Sequence, residues 1–235
     1  MGPLLDERKE LGYRERWSLY RERWGLVAAV HAAVFHSLRS WLGLRVCGIY
    51  ARPLTPPKGS DPALPGFSYR VFEQGEADAL IACVRRPELE LSETFVRGAL
   101  GKGDACHAIL CDGELVSYDW SAFTPTHDSQ GVYVEFGEKD RYGYKAFTLP
   151  EFRGRHLPRV FKPLGDGYCI VRGCTHTIGF VKVDNRPSIS ATVAQGYRRV
   201  GFAGYLKRGP IFVAFRTQSA RRRGFRFFVP PKKGR

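Results

Sequence analysis

Arg153, Gly154, Arg155 and His156 stand in a row, after the apolar run Phe147-Thr148-Leu149 and directly before Leu157, where a helical pattern begins. A strand that passes through a basic, glycine-bearing turn into a helix leaves backbone N–H groups with no intrahelical partner. The helix N-terminus adds partial positive charge at the same place. The chemistry that suits such a turn is the grip of a pyrophosphate or similar polyanion. One glycine and two arginines occur in many surface loops, so a second feature is needed. It comes 32 residues after Arg153, where Asn185-Arg186-Pro187-Ser188 follows another apolar run and opens a helix that closes with Gly196-Tyr197.

These turns need a scaffold, and the chain between them and before them alternates. Strand patterns cover Phe67–Glu73, His107–Asp112 and Leu115–Phe123, the last two joined by a tight turn at Gly113. Helical patterns cover Glu76–Arg86 and Ser92–Leu100. Val132–Phe136 and Tyr144–Leu149 read as strands, Leu157–Leu164 as a helix, Thr177–Val183 as a strand and Pro187–Gln195 as a helix. Strands ending in Ile211–Phe215 finish the series. The order is mixed α/β, with antiparallel strands first and β–α–β units later. Residues 52–65 contain five prolines and one glycine, which marks a linker over 52–66. A catalytic-type domain over 67–215 follows, with a segment of 1–51 before it and a tail of 216–235 after it.

Trp17, Tyr20, Trp24, Val27, His31, Val34, Leu38 and Trp41 recur at alternating spacings of three and four, which predicts one amphipathic helical face within 1–51. Its most apolar stretch, Trp24–Leu38, is shorter than the ~20 residues that cross a bilayer. Two readings stay open: the stripe packs on the following domain or on a second copy of the chain, as in a homodimer, or it lies in a membrane interface.

The chain of 235 residues carries a formal charge of +14, and the excess sits at the ends. Residues 1–60 hold 10 basic and 5 acidic side chains, residues 216–235 hold 8 and none, and the middle is nearly balanced at 19 against 18. A body that read nucleic acid would carry its own basic stripe, which argues against nucleic acid as its ligand. Basic ends suit loose attraction to an anionic membrane, an acidic partner protein or nucleic acid. In the tail, Arg221-Arg222-Arg223 and Lys232-Lys233 are interleaved with Phe225, Phe227 and Phe228, and a solvated basic tail is the expectation. Cys47, Cys83, Cys106, Cys111, Cys169 and Cys174 form no C-x-x-C pair. Reduced thiols in a cytoplasmic protein, with no metal site, are therefore expected.

The two turn segments together resemble the GNAT (GCN5-related N-acetyltransferase) superfamily: strand, R-x-x-G-x-G/A turn, helix, then strand, Asn-x-x-Ala, helix, Gly-Phe. Arg153 opens the turn, Asn185 matches the asparagine, Ser188 the small residue three later, and Gly196-Tyr197 the closing pair. The resemblance covers about residues 67–215. It implies a mixed, mostly antiparallel sheet splayed between its fourth and fifth strands and flanked by helices. It also implies acetyl-coenzyme A, or another acyl-CoA, as co-substrate and no metal. Pantetheine would lie along Thr148 and Leu149, and the pyrophosphate on the backbone of Arg153, Gly154, Arg155, His156 and Leu157, with Asn185 nearby. The activity implied is N-acyl transfer to a small-molecule amine or amino sugar by direct attack. A longer acyl chain from an acyl carrier protein at the inner face of a membrane is the alternative, as is an inactive scaffold that binds membrane or nucleic acid through its basic ends.

Three positions depart from the resembled pattern. His156 stands where a glycine is expected and Pro158 where a small residue belongs; proline has no N–H to offer. Thr192 occupies the place of the family's usual tyrosine acid, and its hydroxyl is far less acidic. Glu135, on a strand expected beside the cofactor strand, is the first choice of general base, with Asp119, His127 and Tyr144 competing.

Overall fold

A computed structural model describes residues 13–57, 64–129 and 131–231, without the side chains of 13–17 and 19. Trp17's side chain, much of the proline-rich segment and Lys232-Lys233 therefore lie outside the described residues. The elements in chain order are α1 (Tyr13–Leu42), β1 (Leu44–Pro53), β2 (Phe67–Phe72), α2 (Ala77–Cys83), α3 (Glu93–Gly101), β3 (Ala105–Cys111), β4 (Glu114–Ala122), β5 (Thr126–Ser129), β6 (Val132–Glu135), β7 (Asp140–Thr148), α4 (Leu157–Val171), β8 (His176–Lys182), α5 (Arg186–Ala194), β9 (Arg198–Arg208), β10 (Ile211–Arg216), α6 (Gln218–Arg222) and β11 (Arg226–Phe228). They fall into two compact units. One comprises residues 53–125 and 138–179, and the other holds the N-terminal part to Arg52, 126–137 and 180 onwards. The domain expected over 67–215 is thus divided between them.

In the first unit β2, β3, β4 and β7 form an antiparallel run, and β8 joins β7 in parallel. Counted within this unit, β7 is the fourth strand and β8 the fifth. α4 covers the face that carries Tyr69 and His107: Phe161 stacks on Tyr69 and Tyr168 meets His107 edge-on. α3 covers the other face, with Phe95 edge-on to Trp120 at 5.1 Å between centroids. Phe72, Leu80, Val96, Leu115, Trp120 and Leu157 are fully buried, and this apolar burial is the main driving force of the unit. Ser92 caps α3 by accepting the Phe95 N–H, as a helix start requires.

α4 runs through Pro163 to Val171, past Leu164 where the sequence pattern ends. The glycines beyond Leu164 serve close packing. A Cβ on Gly165 would lie 3.2 Å from the Tyr69 hydroxyl and 3.3 Å from His107 Nδ1, and one on Gly167 would lie 3.1 Å from Pro57. Helix propensity is given up there so that the backbone can approach the sheet.

In the second unit β1, β9 and β10 form one antiparallel ladder, and β5, β6 and β11 a small sheet. The C-terminal stretch differs from the solvated tail expected: it forms α6 and β11, and it buries Phe225 and Phe227. Their rings meet Phe180 and Tyr205, the Phe227–Tyr205 centroids lying 5.2 Å apart. Five closely spaced arginines, from Arg216 to Arg226, hid this aromatic core from a charge count. α1 is interrupted at Gly25 (φ 82°, ψ 166°), so the single helical face predicted from Trp17 to Trp41 does not persist. The break resets the phase: Ala28 and Ala29 are buried, while Val27, Val34 and Trp41 are 84%, 49% and 82% exposed. Among the described residues no helix is long and apolar enough to cross a membrane.

Trp120→Ala removes the largest fully buried side chain of the first unit. It is expected to lower stability by about 3–5 kcal/mol, read from the midpoint and slope of denaturant unfolding.

Candidate active site

The site begins where the sheet opens. β7 and β8 pair at Asp140↔His176, Arg141↔Thr177 and Tyr142↔Ile178, and there the ladder ends although β7 continues to Thr148. On its other side β7 stays paired with β4, but the register slips between Tyr118↔Phe147 and Trp120↔Tyr144. Two residues, Lys145 and Ala146, thus stand against Asp119, with Lys145 at φ 43°. This is a β-bulge, which bends its strand and sharpens the local twist, and it falls just beyond the last β7–β8 pair. From Gly143 to Thr148 the outer edge of β7 therefore lacks a partner strand among the described residues. The parting of fourth and fifth strands stands where the sequence resemblance implied it.

At the end of β7 the chain turns back through a 3-10 turn, Pro150–Phe152, into the basic segment. Gly154 (φ 80°) and His156 (φ 55°) are both left-handed, and Arg155 stands between them. Successive N–H groups of such a turn suit an anion. Arg153 N–H donates to Pro150 and the helix takes up its own bonds from Arg159 onward. The N–H groups of Gly154, Arg155, His156 and Leu157 have no acceptor among the described residues. Gly154, Arg155 and His156 are exposed, and a Cβ on Gly154 would meet nothing within 4 Å. The turn is open to solvent, and its four donors lead into the N-terminus of α4.

The side chains divide the labour differently from their sequence reading. Arg153 Nε donates to the Thr148 carbonyl at 3.1 Å, and its guanidinium lies over the Phe147 ring. Arg153 thereby clamps the turn to the strand. Arg155 lies over Phe152 and leaves its charge at the surface. The Thr148 hydroxyl shares a 2.7 Å hydrogen bond with Ser117, and Leu149 is buried with its N–H donated to Val116. His156 caps no backbone group with its ring. Thr148, Leu149 and Arg153 to Leu157 are thus gathered at one end of the first unit.

Four of the other sequence-derived candidates, Asn185, Thr192, Glu135 and His127, lie in the second unit. Asn185 is the N-cap of α5 and accepts the Ser188 N–H at 3.3 Å. Thr192 is half-buried in the same helix, and its carbonyl takes the N–H groups of Gln195 and Tyr197. Glu135 was expected on a strand beside the cofactor strand, but β6 pairs with β5 and β11 instead of β7. Its carboxylate is held by Arg226, at 2.8 Å to Nε and 2.5 Å to the second nitrogen. The β-alternation of Val132–Phe136 carried no information about which sheet the strand joins. His127 Nε2 accepts the Gly131 N–H at 3.2 Å.

Two polar clusters of the first unit escaped the sequence reading in whole or part. On the α3 face, Tyr144 of β7 donates its hydroxyl proton to Asp104 Oδ2 at 2.5 Å, and Lys102 Nζ approaches the same oxygen at 2.9 Å. Asp104 is buried, and its Oδ1 has no partner among the described residues. Burial pushes the Asp104 carboxyl up, partly offset by the hydrogen bonds from Tyr144 and Lys102. Burial and the adjacent Asp104 charge push the Tyr144 phenol up. On the α4 face a chain runs from the Tyr69 hydroxyl to His107 Nδ1 (2.6 Å), from His107 Nε2 to Ser121 Oγ (2.8 Å), and on to Arg141, which donates to both Ser121 (2.5 Å) and Asp119 (2.9 Å). Asp119 is thus committed to Arg141. Lys102-Gly103-Asp104 follows no motif, and its pairing with Tyr144 depends on a helix end meeting a strand forty residues away. Among the described residues no group of His, Cys, Asp and Glu side chains is arranged to hold a metal, and the six thiols are unpaired.

No protein-family model matches the chain, and neither does any curated protein sequence. Among solved structures it is similar to a GCN5-related N-acetyltransferase from Sphaerobacter thermophilus, at 12% identity and a TM-score of 0.45, over 80% of this chain and 56% of that one. A tandem GNAT protein from the clavulanic acid biosynthesis pathway, described as without AcCoA, is similar at 15% identity and a TM-score of 0.44, over 84% and 59%. An aminoglycoside acetyltransferase from an uncultured soil metagenomic sample, in complex with trehalose, is similar at 10% and 0.42, over 55% and 87%. The match spans less than six-tenths of the first two chains. Likeness at this level decides nothing about what the chain does, which has to be read from its own groups.

His107 supplies a test of the buried cluster. Burial, with the Arg141 charge beside it, lowers its pKa from 6.5 to about 3. The unfolded chain therefore binds more protons between those values, so stability is complete above about pH 6.5 and is lost as pH falls through that window. Between pH 7 and about pH 5 the wild type is expected to lose about 2 kcal/mol through this group. His107→Gln is expected to flatten that difference, checked by denaturant unfolding at the two pH values.

Proposed function

We propose that this chain is an N-acyltransferase that draws its acyl group from an acyl-coenzyme A, acetyl-CoA foremost, and passes it to an amine of a small molecule or sugar by direct attack. The observation that carries the reading is the run of four unmet N–H donors from Gly154 to Leu157, set at the end of the strand whose outer edge is open from Gly143 to Thr148. A diphosphate fits the first feature, because main-chain donors and the α4 terminus favour a multiply charged anion. Exposed Arg155 and Arg159 add charge without being tied down. An amide-bearing arm such as pantetheine fits the second, since an open strand edge offers main-chain donors and acceptors in a row. The bound co-substrate supplies an acyl group activated as a thioester.

The chain's own groups then account for the proton. An amine that attacks a thioester carbonyl must lose a proton from nitrogen. Tyr144, on the open segment of β7, accepts that proton on its phenolic oxygen while its own passes along the 2.5 Å hydrogen bond to Asp104. One N–H and one O–H bond break, and two O–H bonds form. Lys102 keeps Asp104 anionic beforehand, and burial of Asp104 favours the protonated form afterwards. Free N–H groups on the β7 edge stabilise negative charge on the carbonyl oxygen. Tyr144 is preferred to Glu135 as base because Arg226 occupies the Glu135 carboxylate. Thr192 is a poor acid, so the departing thiolate takes its proton from solvent in this reading. Asn185 serves by fixing the start of α5.

A second reading keeps the chemistry but takes longer acyl chains from an acidic carrier protein, with the chain held at the cytoplasmic face of a membrane. It is favoured by the apolar side chains that α1 leaves exposed, Val27, Val34 and Trp41, together with the basic ends of the sequence.

Calorimetric titration with acetyl-CoA is expected to show one site. Gly154→Trp, placed where the chain is exposed, is expected to weaken it at least about tenfold with the circular dichroism spectrum unchanged. Equal affinity in the two proteins, or no binding by the wild type, would sink the assignment. In acyl transfer to a panel of amines, Tyr144→Phe is expected to lower kcat about 10²-fold while leaving the affinity for acetyl-CoA intact. Asp104→Asn is expected to lower kcat and shift its pH profile through Tyr144.

A further inference from the structure

β10 pairs with β9 alone, from Ile211↔Arg208 to Arg216↔Ala203, and no strand among the described residues pairs with its other edge. The connection from β9 is Gly209-Pro210, with Gly209 at φ 56°, the arrangement of a II′ hairpin. Such a turn closes on the Arg208–Ile211 pair. Alternation then directs the N–H and C=O groups of Ile211, Val213 and Phe215 to β9 and those of Phe212 and Ala214 away from it. Edge strands with unmet groups are usually guarded by lysine, proline or a bulge. Between Ile211 and Phe215 there is none of these. Ile211, Val213 and Phe215 also share one face and are 57%, 57% and 42% exposed, while Phe212 turns the other way onto Tyr205. An unguarded edge thus adjoins an apolar row.

We infer that β10 is the strand through which two copies of this chain join as a symmetric dimer, the two β10 strands pairing antiparallel about Val213. This inference is independent of the acyl-transfer reading. The strand is complementary to itself in that register. With Val213 on the two-fold axis, Ile211 faces the partner's Phe215 and the apolar row continues across the junction. Phe212 faces the partner's Ala214, so the outward main-chain groups satisfy one another. A slip of one residue would set the apolar row against the opposite face. The charges agree as well: Arg216 falls opposite the partner's Pro210, and its guanidinium is already engaged by the Phe225 carbonyl at 2.9 Å. No two arginines are opposed, where like charges would repel. The contact is isologous and therefore closes at two copies without propagating into a fibre.

Sedimentation equilibrium of the full chain at micromolar concentration is expected to give twice the chain mass. Val213→Lys is expected to raise the dissociation constant at least tenfold with an unchanged melting curve. Because Val213 would face its own copy in a non-hydrogen-bonded pair, with Cα atoms ~4.5 Å apart, Val213→Cys is expected to form a disulfide-linked dimer under mild oxidation. Ile211→Cys, about 13 Å from its copy in this register, is expected to stay at the wild-type background. The cysteine pair decides the matter if Val213→Lys fails to fold. A monomeric wild type overturns the inference, as does a dimer that Val213→Lys leaves intact or equal cross-linking of the two cysteine variants. A monomer that floats with anionic vesicles and loses that property in Val213→Lys would assign the same row to lipid and overturn it equally.

Discussion

Main-chain hydrogen bonding is the constraint on which this structure turns. A folded chain must pair nearly every buried N–H and C=O, and departures from that rule can stand only at the surface. In the first unit they are concentrated along the outer edge of β7 and in the turn from Gly154 to Leu157. The bulge at Lys145 bends β7 beyond its last pair with β8, and the Arg153 clamp on Thr148 fixes the turn relative to the strand. The Ser117–Thr148 bond and the buried Leu149 hold the end of β7 to β4. An open edge and an open helix end are each costly to keep rigid, and here the packed aromatic sheet beneath them does so.

The two faces of that sheet serve different ends. Beneath α4, the glycines at 165 and 167 let the helix settle onto Tyr69, His107 and Pro57, and a chain of hydrogen bonds links Tyr69, His107, Ser121, Arg141 and Asp119. Beneath α3, polar satisfaction is incomplete: the Asp104 carboxylate keeps one unpartnered oxygen beside the Tyr144 phenol. A half-satisfied buried carboxylate is a poor choice for stability. It is a good one for a group that has to accept a proton, and the difference between the faces is what directs attention to Tyr144.

Much of this was legible in the amino-acid order because it rests on local rules. The strand–turn–helix around Arg153 and the Asn185 cap follow from backbone geometry within a few residues, and the hairpin at Gly113 from one left-handed glycine. What could not be read were facts of partnership. Glu135 sits in an alternating strand whose pattern cannot say that its neighbours are β5 and β11. Phe225 and Phe227 looked like tail residues because arginines surround them in sequence, although their partners Phe180 and Tyr205 lie far away along the chain. Gly25 read as one helical residue among many, yet its conformation redirects the whole face after it. Asp104 had no repeating neighbour to betray it.

The turn between Arg153 and Leu157 makes its offer with peptide groups, and its one clamped guanidinium faces inward. A pocket built of peptide groups is indifferent to most of the side chains that decorate it. Residues 155, 156 and 158 are therefore free to drift as long as the sign of φ at 154 and 156 is kept. Pro158 brings no donor of its own, and the four donors from Gly154 to Leu157 precede it. Sequences that obey that rule can differ widely in their letters and still build the same row of donors.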